Sequence, residues 1–460
     1  MTPSASSLSW FGIARLGLVQ AMLGSVVVLT TSTLNRVMAV ELMLPALIPG
    51  MLVALHYAVQ LTRPRMGYGS DVGSRRTPWI VGGIVVLATG GFLGAVATAS
   101  MGPAGERAPG LALAAFAFVL VGLGVSAAGT SLLTLLAKRV DAPRRAGAAA
   151  LVWTMMIIGF AVTAATAGAF LDPYSPQRLM MVSGTVSVIA VLVTMLALWR
   201  VEGSSPSTPD RQSTPEEPMT ATRFRSALAE VWREPQARLF TIFVFVSMLA
   251  FSAQDLILEP FAGLVFGYTP GESTQLSGVQ HGGTLAGMLM AALAGRRLFG
   301  VAFGTLRTWT TWGCVASCVA LAGLAFAGFG GAGVTATWPL RANVFLMGVA
   351  NGAFSIAAIG SMMALAGQGR EKREGTRMGL WGAAQAIGFA GGGVIGTSAS
   401  DLARWVIGSP GAAYACVFAA EALLFIASAL LARRIAVPQG VSGSDALPLI
   451  AGARTVEDTP

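Results

Sequence analysis

Apolar runs of 18 to 25 residues, carrying few or no charges, recur along this chain between short polar or basic stretches. Each run is long enough to cross about 30 Å of hydrocarbon. Lipid offers the backbone no hydrogen-bond partner, so a crossing segment must satisfy its own amides as a helix. The pattern predicts spans over 11–31, 43–62, 78–100, 111–137, 147–170, 179–199, 238–258, 274–294, 306–329, 339–366, 376–399 and 411–432. The expected fold class is an all-α membrane protein.

Between the sixth and seventh spans lies one long polar stretch, EGSSPSTPDRQSTPEEPMT at 202–220. Rich in Ser, Thr and Pro, it cannot bury a core and reads as a flexible linker. Beyond it Phe224, Leu228, Val231 and Trp232 recur at helical spacing among arginines, which predicts a short interfacial helix. A linker near mid-chain invites a search for duplication. RAGAAALVW gives Arg145, Gly147 and Trp153 at the start of the fifth span, and REGTRMGLW gives Arg373, Gly375 and Trp381 at the start of the eleventh, an offset of 228. SLLTL from Ser131 and SMMAL from Ser361 match at 230. The expected organisation is a six-helix half at 1–200, a linker with an interfacial helix at 201–237, a second six-helix half at 238–434, and a tail at 435–460. Twelve helices in two pseudo-symmetric halves resemble the major-facilitator architecture.

Composition agrees: 54% of residues are hydrophobic and 11% charged, against about a quarter charged in soluble domains. The net charge of +9 is a topology signal, not a nucleic-acid one. Of the 30 Lys and Arg, 25 fall in one set of alternate loops and the termini, and only Arg36, Arg107, Arg178, Arg341 and Arg404 in the other. By the positive-inside rule both termini are expected in the cytoplasm of a bacterial inner-membrane protein. Cys314, Cys318 and Cys416 lie within spans and are expected as free thiols. The first apolar stretch is of full spanning length, so no cleaved leader is expected.

The loop between the second and third spans reads GYGSDVGSRRTP, from Gly67 to Pro78. It resembles the facilitator signature G-x-x-x-D-(R/K)-x-G-(R/K)-(R/K). Gly67 permits the turn, Asp71 can cap a helix and pair with cations of the other half, and Arg75 and Arg76 hold the cytoplasmic face. Val72 and Ser74 depart from the pattern, which weakens the latch expected of an alternating-access transporter. The plain alternative is a merely basic loop.

Polar groups inside spans are costly and so are functional candidates. Glu421 sits near the middle of the twelfth span, on a helix peripheral in this architecture. It can be a protonated carboxyl bonded within the bundle, a contact to a partner protein, or a contact to a bound ligand. Asn35 and Arg36 are expected to end the first helix, Glu41 to begin the second, and Asp255 and Glu259 to lie near the outer end of the seventh. Arg36 can then pair with Asp255 or Glu259 across the halves; solvated charges are the alternative. His56 and His281, the chain's two histidines, both fall inside spans, where a neutral imidazole is either a metal ligand or a hydrogen-bonded bundle residue. No free-ion metal site is expected. No zinc spacing, phosphate loop or nucleophile elbow occurs where it could work. No two of the eight aspartates are closer than 13 residues, which argues against an enzyme handling a diphosphate through magnesium.

The run from Leu8, LSWFGIARLGLVQAMLGSVVVLTTSTLNRVMAVELMLPALIPGMLVALHYAVQ, followed by RPRMGYGSDVGSRRTPWIVGG, resembles the PucC/LhaA family of photosynthetic bacteria. The likeness is nearest to the subgroup known as an accessory chain of bacteriochlorophyll synthase. It implies the major-facilitator fold and a role in bacteriochlorophyll delivery and light-harvesting or reaction-centre assembly, beside pigment-synthesis enzymes in the photosynthetic membrane. Bacteriochlorophyll or a precursor is then the bound cargo, with His56 or His281 as candidate magnesium ligands. The competing expectation is an ion-coupled transporter of a small solute. Such coupling needs titratable groups near the midplane of spans 1, 4, 7 and 10. The predicted spans place no acid there, which favours pigment handling.

Overall fold

The computed structural model describes residues 8–63, 76–101, 107–141, 144–201, 229–294, 304–366 and 374–435. Among these residues all regular structure is helical, and twelve helices build the bundle. They are α1 Trp10–Glu41, α2 Leu47–Thr62, α3 Thr77–Ser100, α4 Arg107–Arg139, α5 Arg145–Leu171 and α6 Pro176–Leu198, then α7 Pro235–Phe266, α8 Pro270–Ala294, α9 Leu306–Phe329, α10 Leu340–Ala366, α11 Glu374–Ile407 and α12 Pro410–Arg434. Nine of them are long and apolar enough to cross a membrane. α2 is shorter, and α8 and α11 fall outside the nine; both bury polar residues, Ser273, Thr274, Ser277 and Gln280 in α8 and Thr397 and Ser400 in α11. The protein is a multi-pass membrane protein.

Local chemistry sets the helix starts. The hydroxyls of Ser9, Ser175 and Thr305 accept from the amides of Gly12, Arg178 and Thr308 at 3.1–3.2 Å, and proline opens α3, α6, α7 and α12, where a missing N–H costs nothing. α7 stops at Gly267, whose φ of 71° favours a residue without a Cβ.

The halves pack by one rule. α1 packs on α5 and α6, α3 on α4 and α6, and α2 on α4; six helices later, α7 packs on α11 and α12, α9 on α10 and α12, and α8 on α10. The cross-half pairs, α2 with α11 and α5 with α8, are exchanged by the same relation. This is the pseudo-twofold expected of two facilitator-type halves. α8 and α10 come close enough for backbone contact. A Cβ on Gly283 or Gly287 would strike the carbonyls of Phe345 or Val349, and one on Gly348 or Gly352 those of Gln280 or Thr284. Paired glycines four apart are the usual means of such approach in lipid.

Several expectations need correction. α1 does not end near residue 31 but runs through Arg36 to Glu41, with π-helical turns at Leu29–Thr33 and Val37–Glu41. Glu41 therefore closes α1; it does not open α2. α7 runs to Phe266, so Asp255 and Glu259 lie inside it, not near its end. In both cases polar residues continue the helix because the other half supplies partners for them. The repeat tryptophans sit on equivalent helices in unequal surroundings. Trp153 is 40% exposed, whereas Trp381 is 1% exposed, packed edge-on against Phe240. Helix is present at 229–233, where Val231 is buried and Trp232 exposed. Gly67, Asp71 and Arg75 lie outside the described residues; Arg76 immediately precedes α3.

Candidate functional site

The end where α1 finishes and α7 stops, called distal here, gathers hydrogen bonds between the halves. Ser32 donates to Glu259 and stands 3.4 Å from the hydroxyl of Ser277. The hydroxyls of Thr33 and Thr274 are 3.1 Å apart. Asn35 donates to the Leu256 carbonyl at 2.7 Å, and Arg36 to the Tyr268 carbonyl at 2.7 Å. At the α2–α11 contact Asp401 accepts from the amides of Ala46 and Leu47 at 3.0 and 2.8 Å. At the α5–α8 contact Asp172 accepts from Thr269 at 2.8 Å and from the Gly271 amide at 3.3 Å. Tyr174, in the α5–α6 connection, stays a neutral phenol: burial and the nearby Glu41 carboxylate push it up to about 12. These bonds seal the distal end.

Asn35, Arg36 and Glu259 each take part in a hydrogen bond across the halves, but Arg36 does not make the expected ion pair. Arg36 pairs with Glu41 at 2.5 Å on its own helix, and with neither Asp255 nor Glu259. A charge five residues along the same helix needs no ordering of a second element, and it lets the guanidinium reach the Tyr268 carbonyl as well.

Deeper toward the middle, α7 and α8 carry a second polar group. Gln280 donates to Asp255 at 3.4 Å, and the Asp255 carboxylate interacts electrostatically with His281 and Tyr57. Asn351 donates to Gln254 at 3.1 Å and accepts from Ser317 at 2.8 Å, tying α7, α10 and α9 together. Aromatic rings stand around this group. Tyr57 of α2 stacks on Phe389 of α11 with centroids 5.2 Å apart, Phe251 meets the same Phe389 edge-on, and Phe160 of α5 sits edge-on to His281 at 5.0 Å. Span 7 thus brings two acids, Asp255 and Glu259, to the contact between the halves, which the predicted helix limits had hidden.

The histidines part company here. His56 is 1% exposed, and its Nε2 accepts from Gln60 at 2.9 Å, so its lone pair is spent inside the N-terminal half. His281 is half-buried and its Nδ1 lies 2.8 Å from the Ser277 carbonyl. A carbonyl only accepts, so Nδ1 carries a hydrogen, and in the neutral ring Nε2 then keeps a lone pair. That is the arrangement in which a backbone carbonyl orients a metal-ligating imidazole.

Glu421 lies inside the C-terminal half. It is 2% exposed, turned inward, and neither carboxyl oxygen has a partner among the described residues. Its helix is peripheral, yet this face packs on α7 and α9. The carboxyl thus faces helices of its own half, with no hydrogen-bond partner among the described residues. Two functional-looking groups escaped the sequence reading. Asp401 was one of many scattered aspartates, and Arg377, buried against Glu234, looked like one more loop cation.

The family description "PUCC protein" matches residues 33–440. The chain belongs to the PUCC family. It is 50% identical over 436 residues to the "Bacteriochlorophyll synthase 44.5 kDa chain" of Rhodobacter capsulatus, covering 95% of this chain and 98% of that one. It is 32% identical over 455 residues to "Protein PucC" of Cereibacter sphaeroides, covering 92% and 94%. Among solved structures it is similar to a nucleoside transporter, with a TM-score of 0.67 at 14% identity over 92% of this chain and 99% of that one. A bacterial homologue of the lysosomal transporter Spinster gives 0.65 at 14% identity, over 91% and 95%. These structural likenesses show the fold alone, and that fold is the facilitator type. The family membership places this PUCC chain in a photosynthetic context.

Proposed function

We propose that this chain binds bacteriochlorophyll or a late precursor and hands it to light-harvesting or reaction-centre polypeptides, working beside the pigment-synthesis enzyme as a non-catalytic accessory. The observation that carries this reading is the 50% identity, along almost the whole of both chains, to a relative named as a bacteriochlorophyll synthase chain. The aromatic and imidazole lining between the halves supports it. Tyr57, Phe389, Phe251 and Phe160 gather aromatic rings at this contact, and the neutral His281 ring would offer Nε2 as a ligand for magnesium. The setting is the bacterial photosynthetic membrane, with both termini cytoplasmic by the charge split.

The test is pigment content. Full-length protein purified from a pigment-making host, or incubated with bacteriochlorophyll in lipid vesicles, should carry bound pigment. His281→Phe should lower that content several-fold, and His56→Phe should leave it unchanged. Protein that stays colourless in both preparations would end the proposal. A second reading, an ion-coupled transporter of a small solute, draws on Asp255 and Glu259 lying within the contact between the halves. Proton-driven solute uptake by pigment-free vesicles would support it.

A further inference from the structure

We propose that Glu259 holds a proton whenever the distal seal is closed, and that release of that proton accompanies its opening. The inference concerns the seal and is independent of what the protein carries. Glu259 is 2% exposed and lies where α7 meets α1 and α8. One carboxyl oxygen contacts the Ser32 hydroxyl across the halves, with the Ser277 hydroxyl beside it. The other oxygen is buried without a partner among the described residues. An ionised carboxylate taken out of water needs a cation or several donors, and here it has hydroxyls alone, that of Ser32 with that of Ser277 beside it. The neighbouring cation, Arg36, turns its two terminal nitrogens to Glu41 and to the Tyr268 carbonyl and forms no ion pair with Glu259. A neutral carboxyl meets the site's demands at far lower cost.

Among the described residues no charged neighbour forms an ion pair with Glu259, and Arg404 of α11 is directed to Tyr414. From α7 itself comes Asp255, a second acid, engaged with Gln280 and His281. From α8 comes His281, whose Nδ1–H is given to the Ser277 carbonyl. α2 brings Tyr57, packed on Phe389. α11 and α12 bring Asp401, committed to the α2 amides, and Tyr414, edge-on to Phe261. Opening separates Ser32, on one half, from Glu259, on the other, and lets water reach the carboxyl, which then ionises. The closed form therefore binds one more proton than the open form. Low pH favours closure, and rising pH favours opening.

The π-helical turns that flank this stretch of α1 fit a part that must rearrange. Irregular turns of this kind give a helix carbonyls that are not locked in the α ladder.

The experiment uses the full chain in lipid discs, with Cys314, Cys318 and Cys416 replaced by Ala and spin labels attached at Met43→Cys and Trp405→Cys. Both positions are exposed distal sites on opposite halves. Across about pH 5 to 9, the range in which buried carboxyls titrate, a longer inter-label distance should grow in as pH rises. Glu259→Gln, permanently neutral, should keep the short distance at every pH. Ser32→Ala should fold, keep the transition and shift its midpoint down by about half to one pH unit, the equivalent of one neutral hydrogen bond. A pH-independent distance in the unsubstituted background overturns the proposal. So does an unchanged transition in Glu259→Gln, or an unchanged midpoint in Ser32→Ala. A transition that follows sodium concentration at fixed pH also overturns it, because the carboxylate would then be holding a metal cation instead of a proton.

Discussion

Asn35 of α1 donates its side-chain amide to the Leu256 carbonyl of α7 at 2.7 Å, and Pro260 is the reason that carbonyl is available. A helical carbonyl normally accepts from the amide four residues on, and proline has none. Leu256 is buried, so without Asn35 its oxygen would be left unpaired. The kink in one half is thus satisfied by the other half, and the seal between them includes a bond that helix geometry demands.

Asn35→Leu should destabilise the protein by about 1–3 kcal/mol, the range for an orphaned buried acceptor. In a Pro260→Ala background the same change should cost clearly less, because that substitution supplies the missing intrahelical amide to the Leu256 carbonyl. A double-substitution cycle on thermal or denaturant unfolding reads the coupling. Equal costs in the two backgrounds would mean that the Leu256 carbonyl does not depend on Asn35.

Arg377 is buried near the start of α11 and grips Glu234 with two nitrogens, at 3.0 and 2.7 Å. Glu234 is partly exposed and immediately precedes α7, so the pair fastens two neighbouring helix starts. Glu234→Gln should cost about 2 kcal/mol, toward the low side for breaking a buried pair because one partner is wetted. Glu234→Gln combined with Arg377→Met should recover most of that loss. The check is melting temperature in detergent; a double variant as unstable as the single would show that the charge pair is not the source of the effect.

Glu421 lies inside the C-terminal half with both oxygens unpartnered among the described residues. Glu421→Leu should therefore leave expression, pigment content and partner co-purification unchanged, and should raise stability by about 1–3 kcal/mol by removing an unsatisfied buried group. Glu421→Gln should have little effect. A Leu variant that inserts normally yet loses pigment or partners would restore a functional role to this carboxyl.

The charge split assigns both termini and the linker to the cytoplasm. Reporter fusions at Gln212 and at the C-terminus should be active only when the reporter works in the cytoplasm. Activity of a periplasm-only reporter at either position would reverse the topology and with it the side to which the distal seal faces.

The sequence by itself determined the helical membrane character, the division into halves and the family likeness. Each of these follows from local quantities: apolar length against bilayer thickness, residue type along a run, and matched segments such as those at Arg145 and Arg373. It also singled out Asn35, Arg36, Glu259 and His281 as costly in lipid, and the first three make contacts across the halves. What it could not decide was who meets whom. α1 outruns its apolar limit because Ser32, Thr33 and Asn35 find partners on α7 and α8, more than 200 residues away in sequence. Arg36 chose Glu41 because the longer helix brought that acid within reach. The two histidines look alike as single letters, and only packing spends the lone pair of His56 on Gln60 while leaving that of His281 free. Solvation cost is a property of a residue and can be read locally; its compensation is a property of a contact and exists only once the halves have come together.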